Sequence, residues 1–226
     1  ASAHEYAIKV AFVVDEEFYS FGAELLCQSD FLSDVVLAIA PEIGDTIGGE
    51  DLGSTYHQAI GIGRTGRVEY DFAVVGRACH GADAFIHPDA VNAVHESAKL
   101  QAALASDCAA VRREFAAHGA RALNSAYISY HHGGEAMLSV PDKASFVLDR
   151  TFLPDESPDR ELTRLRDLVA ILQRDERIDP RAKIAVTPHP RPTSPCKPYV
   201  FAPEHPEIQR LVAAVKQHAA GFSYRI

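Results

Sequence analysis

The sequence has no tryptophan, a single methionine and only four cysteines among its 226 residues. Those cysteines, Cys27, Cys79, Cys108 and Cys196, stand far apart, with no Cys-x-x-Cys pair. That spacing excludes a thiolate zinc site and a disulfide framework, and reduced thiols point to the cytoplasm. Positive charge is short as well: 22 Lys and Arg face 31 Asp and Glu, for a formal net charge of -9. A nucleic-acid or anionic-membrane surface needs the opposite balance. No apolar run approaches the roughly 20 residues of a membrane span, and no secretory leader is expected. A glycine-rich phosphate loop before a helix is missing too, which argues against nucleotide chemistry.

What is present begins at Lys9-Val10-Ala11-Phe12-Val13-Val14-Asp15-Glu16-Glu17. The Val- and Phe-rich run reads as a buried strand that ends in three consecutive carboxylates. Alternation sends Asp15 and Glu17 to one side and Glu16 to the other. In an open α/β sheet, ligands gather at the carboxyl ends of strands, where these residues would lie. Two readings follow: a solvated acidic loop, or one carboxylate binding a metal while its neighbour moves a proton.

Further along, Ala23 to Gln28 reads as a short helix and Asp34 to Ile39 as a second apolar strand, closed by Ala40-Pro41-Glu42. Strand, helix and strand predict a βαβ unit in a parallel sheet. After a Gly-, Asp- and Glu-rich stretch over 43–54 the rhythm changes. Tyr56 to Arg64 and Arg67 to Val75 predict a hairpin about Thr65-Gly66. A helix is expected from Ala90 to Leu104, continuing towards Ala109, with strands at Ala122 to Tyr130 and Ala144 to Leu148. Pro158 to Gln173 places Leu162, Leu165, Leu168, Val169 and Leu172 on one helical face. Lys183 to Thr187 closes this region as a strand. The middle is thus an α+β unit of four strands and two helices, with a ferredoxin-like arrangement as the candidate. Proline-rich Pro188 to Pro203 then leads to a last helix, Ile208 to Ala219.

The ordered series Asp15-Glu16-Glu17, Ser20-Phe21-Gly22-Ala23, Asp34-Val35-Val36, Gly76-Arg77-Ala78-Cys79-His80-Gly81, Asp89-Ala90-Val91-Asn92-Ala93-Val94, Ser139-Val140-Pro141-Asp142 and Val147-Leu148-Asp149-Arg150 resembles one family. It is the zinc metallopeptidases and deacylases that include acetylornithine deacetylase, succinyl-diaminopimelate desuccinylase, aminoacylase and glutamate carboxypeptidase. The resemblance implies α/β catalytic-domain segments with an inserted α+β lid, which is also the dimerisation domain. Residues 1–54 would belong to the catalytic domain, 55–192 to the lid, and 193–226 to the return into the catalytic domain. It also implies two zinc ions, with cobalt or manganese as substitutes, an amide or peptide substrate, and a homodimer. Glu16 would be the general base for a metal-bound water, and Glu17 a metal ligand. His80 would reach a partner's active site and donate to the tetrahedral oxyanion, contacting substrate as it does so.

The sequence departs from that pattern at named positions. Ala40 stands where a second carboxylate ligand is usual, and Glu42 is the candidate replacement. Leu138 stands where an Asn often helps to bind a substrate carboxylate. Thr151 stands where an Arg often shares that task, and Arg150 is the neighbouring candidate, although alternation turns it to the opposite face. The family's His-x-Asp pair, bridging Asp and last His ligand have no counterpart in these residues, so the chain reads as an internal fragment, inactive alone. Adjacent His131 and His132 face opposite sides of a strand and read as non-ligands, His87, His189 and His205 as surface residues, and Cys79 beside His80 lacks a third group for nucleophilic catalysis. Two alternatives stay open: an impaired family member serving as a dimerising or binding module, and an unrelated α/β protein using the acidic triplet with magnesium.

Overall fold

The computed structural model describes residues 7–41, 60–107, 111–115, 120–124, 126–134 and 136–218. The chain divides into two compact units, Ala1–Glu42 with Pro190–Ser194, and Ile43–His189 with Pro195–Ile226.

In the first unit the expected strands are not formed. Residues 7–13 and 37–40 run without ladder partners, and Ile8, Val10, Phe12, Val36 and Ile39 are all exposed. The predicted βαβ unit is therefore absent from the described residues. A strand exists only where a neighbour takes up its N–H and C=O groups, and apolar content alone does not say who that neighbour is. The helix between them does form, as α1 (Phe21–Gln28). Before it the chain reverses through Asp15 and Ser20, both in the left-handed region at φ 64 and 57. The Ser20 N–H donates to the Asp15 carbonyl at 2.8 Å and the Gly22 N–H to the Val14 carbonyl at 3.3 Å. A Cβ on Gly22 would lie 2.6 Å from the Val14 nitrogen, so only glycine lets α1 start this close to the preceding segment. The Pro190–Ser194 segment closes the unit. Thr193 Oγ1 and Arg191 Nη2 both donate to the Tyr19 carbonyl, at 2.6 and 3.2 Å.

The second unit contains β1 (Gly63–Arg64), β2 (Gly66–Val75), α2 (Ala93–Asp107), β3 (Val111–Phe115), β4 (Ala120–Asn124), β5 (Ala126–Gly133), β6 (Lys143–Phe152), α3 (Pro158–Arg174), β7 (Lys183–Pro188), β8 (Tyr199–Val200) and α4 (Pro206–His218). Its main sheet has the order β5-β6-β2-β7, and every neighbouring pair is antiparallel. Alternation along β2 buries Tyr70, Phe72 and Val74 and leaves Glu69, Asp71, Ala73 and Val75 on the other side. Tyr70 and Phe72 meet Phe146 and Leu148 of β6, Leu100 and Leu104 of α2, and Leu165, Val169 and Leu172 of α3 in one core, while Val74 packs with Ala93 and Ala144. Two helices thus cover one face of the sheet. Phe72 and Phe146 stack with centroids 4.5 Å apart, and each such ring contributes about 1.5–3 kcal/mol through burial.

Helix α3 shows why these residues make these elements. Ser157 caps it by accepting from the Arg160 N–H, Pro158 occupies the first turn, and Asp159 and Glu161 sit where the helix dipole favours acids. The predicted hairpin about Thr65-Gly66 is not what forms, because β1 pairs with β8 rather than with β2. Packing of Ile62 against Ile208 and Val212 holds that distant ladder in place. The single strand expected at Ala122 to Tyr130 is also two: β4 pairs with β3 in a separate sheet, and β5 joins β6 with a bulge between Ile128 and Tyr130.

The uncovered face of the sheet is polar. Asp149 on β6 is buried there beneath Arg67, whose Nε donates to it at 2.8 Å, and the Tyr127 hydroxyl donates to the same oxygen at 3.1 Å. Glu69 lies directly opposite Asp149. Two facing carboxylates repel, and Arg67 neutralises the pair by also reaching Glu69 at 3.2 Å. One step along, His189 Nδ1 lies 2.7 Å from Asp71 Oδ1, so His189 is tied into the sheet rather than standing free on the surface.

Candidate active site

The acidic triplet lies in the first unit, on the reversal before α1. Glu16 and Glu17 are exposed and Asp15 is half-buried. The Glu16 carbonyl accepts from Ser20 Oγ at 3.2 Å, which fixes the backbone while the carboxylate stays in solvent. Ala40 is exposed. Glu42 falls outside the described residues. Among the described residues no group of three or more His, Cys, Asp or Glu is arranged to hold a metal ion. The described residues therefore do not make up a metal site on their own, since zinc takes at least three protein ligands.

His80 lies in the second unit, on the loop that follows β2. That loop is strapped along both sides. The Gly76 N–H donates to the Asp142 carbonyl at 2.8 Å, and Arg77 and Val91 exchange N–H···O bonds at 2.9 and 3.0 Å. Next, the Val140 N–H donates to the Cys79 carbonyl at 2.9 Å and the Gly81 N–H to the Leu138 carbonyl at 2.6 Å, with His80 and Ser139 bridged between them. The imidazole itself is exposed, and its Nδ1 accepts from the Ala82 N–H at 3.3 Å. An acceptor at Nδ1 places the proton of the neutral ring on Nε2, so the outward edge of the ring is a donor. This clamp depends on Gly76, because a Cβ there would lie 2.1 Å from the Val91 carbonyl oxygen. Gly76→Ala is expected to cost about 2 kcal/mol of stability, read as a lower urea midpoint. An unchanged midpoint would show that the loop relaxes freely.

Arg150 is differently placed. It shares the helix-covered face with Leu148, as alternation predicts. Its guanidinium contacts Glu156 at 3.1 Å and Glu161 at 3.4 Å and lies over the Phe152 ring at 4.9 Å. Burial alone would raise the Glu161 carboxyl, but Arg164 and then Arg150 outweigh it and hold that carboxyl below the usual carboxylate range. Arg150 opposes Val68, whereas the His80 loop begins beyond Val75. Seven strand residues separate the two, on the order of 20 Å. The structure does not bring His80 and Arg150 together within one chain.

Thr151 pairs across the sheet with Arg67, and Leu138 is exposed at φ 62. His131 and His132 both lie in β5, on neighbouring and hence opposite-facing positions. Sequence reasoning missed the backbone clamp from Leu138 and Val140, which only the fold reveals. It also missed the Arg67–Asp149–Tyr127 set, which the alternation of Arg67, Glu69 and Asp71 along β2 does signal.

A sheet covered on one face by two helices, carrying a strapped histidine loop at one end, defines a two-layer α+β unit. Residues 62–176 match the peptidase dimerisation domain family, and the chain belongs to that family. No curated protein matches. Among solved structures, it is similar to an amidase of the hydantoinase/carbamoylase family from Burkholderia vietnamiensis, at TM-score 0.53 and 16% identity over 74% of this chain and 35% of that one. The corresponding amidase from Burkholderia multivorans gives TM-score 0.52 and 17% identity over 74% and 36%. A hydantoinase/carbamoylase family amidase from Burkholderia ambifaria gives 0.50 and 20% over 74% and 36%. At such identity the likeness is one of fold, and the chain spans little more than a third of the length of these structures. No helix among the described residues is long and apolar enough to cross a membrane.

Proposed function

We propose that the chain is part of a zinc-dependent amidohydrolase, a peptidase or N-acyl amino acid deacylase, that works as a cytoplasmic homodimer. Residues 1–54 belong in this reading to the catalytic domain and 55–192 to a lid with ferredoxin-like order. Residues 193–226 begin the return to the catalytic domain. The observation that carries it is His80: an exposed imidazole on a loop held by backbone bonds on both sides, with Nδ1 occupied and Nε2 left to donate. Such a group suits the oxyanion of a tetrahedral intermediate, where a fixed donor needs no reorganisation. Membership in a dimerisation-domain family supports the homodimer.

Glu16 is then the proton carrier, taking a proton from the attacking water and returning it to the departing amine. Glu17 is a metal ligand and Glu42 a second candidate, completed by ligands beyond the described residues. Arg150 reaches a substrate only by leaving Glu156 and Glu161. Its engagement favours the second reading, a family member that dimerises or binds without turnover.

Metal analysis and amide hydrolysis by the complete protein separate the two. About two zinc ions per chain are expected, as in paired-metal hydrolases, with turnover lost on chelation and restored by zinc, cobalt or manganese. Zinc-free protein without turnover would leave the dimerising module. This chain alone is expected to be inactive, and zinc-dependent hydrolysis by it would show the ligand assignment to be wrong.

A further inference from the structure

The acidic reversal of the first unit is strained and, by itself, incompletely held. Asp15 and Ser20, at its two ends, lie in the left-handed region at φ 64 and 57, where residues with a Cβ stay only if their surroundings hold them. Its internal bonds run from the Ser20 N–H to the Asp15 carbonyl at 2.8 Å and from Ser20 Oγ to the Glu16 carbonyl at 3.2 Å. They fix the shape of the turn but not where it points. Apolar packing does not fix that either, since Phe18 is 74% exposed and α1 buries no residue.

The remaining hold comes from far along the chain. Arg191 and Thr193 stand 172 and 174 positions after Tyr19, and both donate to its carbonyl. Among the described residues, they supply every long-range hydrogen bond that reaches the turn. Thr193 is buried, and the Arg191 guanidinium also lies over the Tyr19 ring at 5.6 Å. Ser194 extends the strap to α1, its Oγ donating to Glu24 Oε1 at 2.8 Å. Pro190, Pro192 and Pro195 flank these donors and preset their own φ, so little backbone freedom is lost in holding them. One donor satisfies a carbonyl, whereas two from different side chains fix its direction as well. We propose that Arg191 and Thr193 are positioning residues: by aiming the Tyr19 carbonyl they orient the turn that presents the Glu16 carboxylate to the attacking water. The inference rests on the assignment of Glu16 as the proton carrier and adds to it the groups that aim it.

The test is a double-mutant cycle on amide hydrolysis by the complete protein. Thr193→Val keeps the volume and removes the donor. It is expected to lower kcat by about tenfold or more, the scale on which misplaced reacting groups lose rate, with KM and zinc content near wild type. Arg191→Met should act in the same direction, and Thr193→Ser, which keeps the hydroxyl, should hold the wild-type rate. In a Glu16→Gln background no carboxylate is left to aim. Thr193→Val should then cost almost nothing, whereas a loss through folding would multiply. Wild-type kcat in both Thr193→Val and Arg191→Met, or full multiplication with Glu16→Gln, overturns the positioning role and leaves Glu16 in place. A Glu16→Gln variant as fast as wild type, or a complete protein without turnover, overturns both.

Discussion

Glu16→Gln in the complete protein is expected to lower amide turnover by about two orders of magnitude or more, the scale set by losing a general base, while zinc content stays unchanged. Glutamine keeps the length and hydrogen-bonding reach of glutamate but has no site for a proton at neutral pH. The substitution is also structurally mild. Glu16 is exposed, and its place in the reversal is fixed by its own carbonyl and by the Asp15–Ser20 bond, not by its carboxylate. A fall in rate with an unchanged unfolding midpoint would therefore be a chemical effect. Glu17→Gln is the contrast, because a ligand that loses its charge weakens metal binding first. Both variants binding zinc and turning over at wild-type rates would remove the acidic triplet from the site.

The same triplet shows how far the sequence was readable. The short helix that follows the acidic triplet is local information, and it formed as α1. The apolar runs on either side carried equally clear strand composition but made no strand, because a ladder is a property of two segments and composition describes one. The failed hairpin has the same cause. Thr65-Gly66 is a good turn signal, yet the partner of Gly63–Arg64 is Tyr199–Val200, far along the chain. Where the signal was amphipathic and long, as in α3 with its Ser157 cap and leucine stripe, element and face were both legible. Around His80 the motif located the histidine. What fixes its ring, the Ala82 N–H and the carbonyls of Cys79 and Leu138, is backbone, and backbone groups leave no mark in the residue alphabet. Alternation did place Arg150 under the helices, but nothing local named Glu156 and Glu161 as its partners.

The distance between Arg150 and the His80 loop leads to the last prediction. Those residues sit on the order of 20 Å apart along one sheet, so a single copy cannot offer both to one substrate. A two-fold dimer removes that difficulty, since the histidine of one copy can serve the other, and two-fold dimers are the commonest assemblies. His80→Ala in the complete protein is accordingly expected to lower kcat by about a hundredfold, as loss of an oxyanion donor does. Zinc content and stability should not change, because the imidazole is exposed and makes one weak bond of 3.3 Å to its own loop. The decisive measurement mixes two inactive variants, Glu16→Gln and His80→Ala, after verified subunit exchange. A mixed dimer holds one site in which an intact Glu16 meets an intact His80 from the other copy, and activity should return there. Exchange without recovery would mean that His80 serves its own chain, or no active site at all.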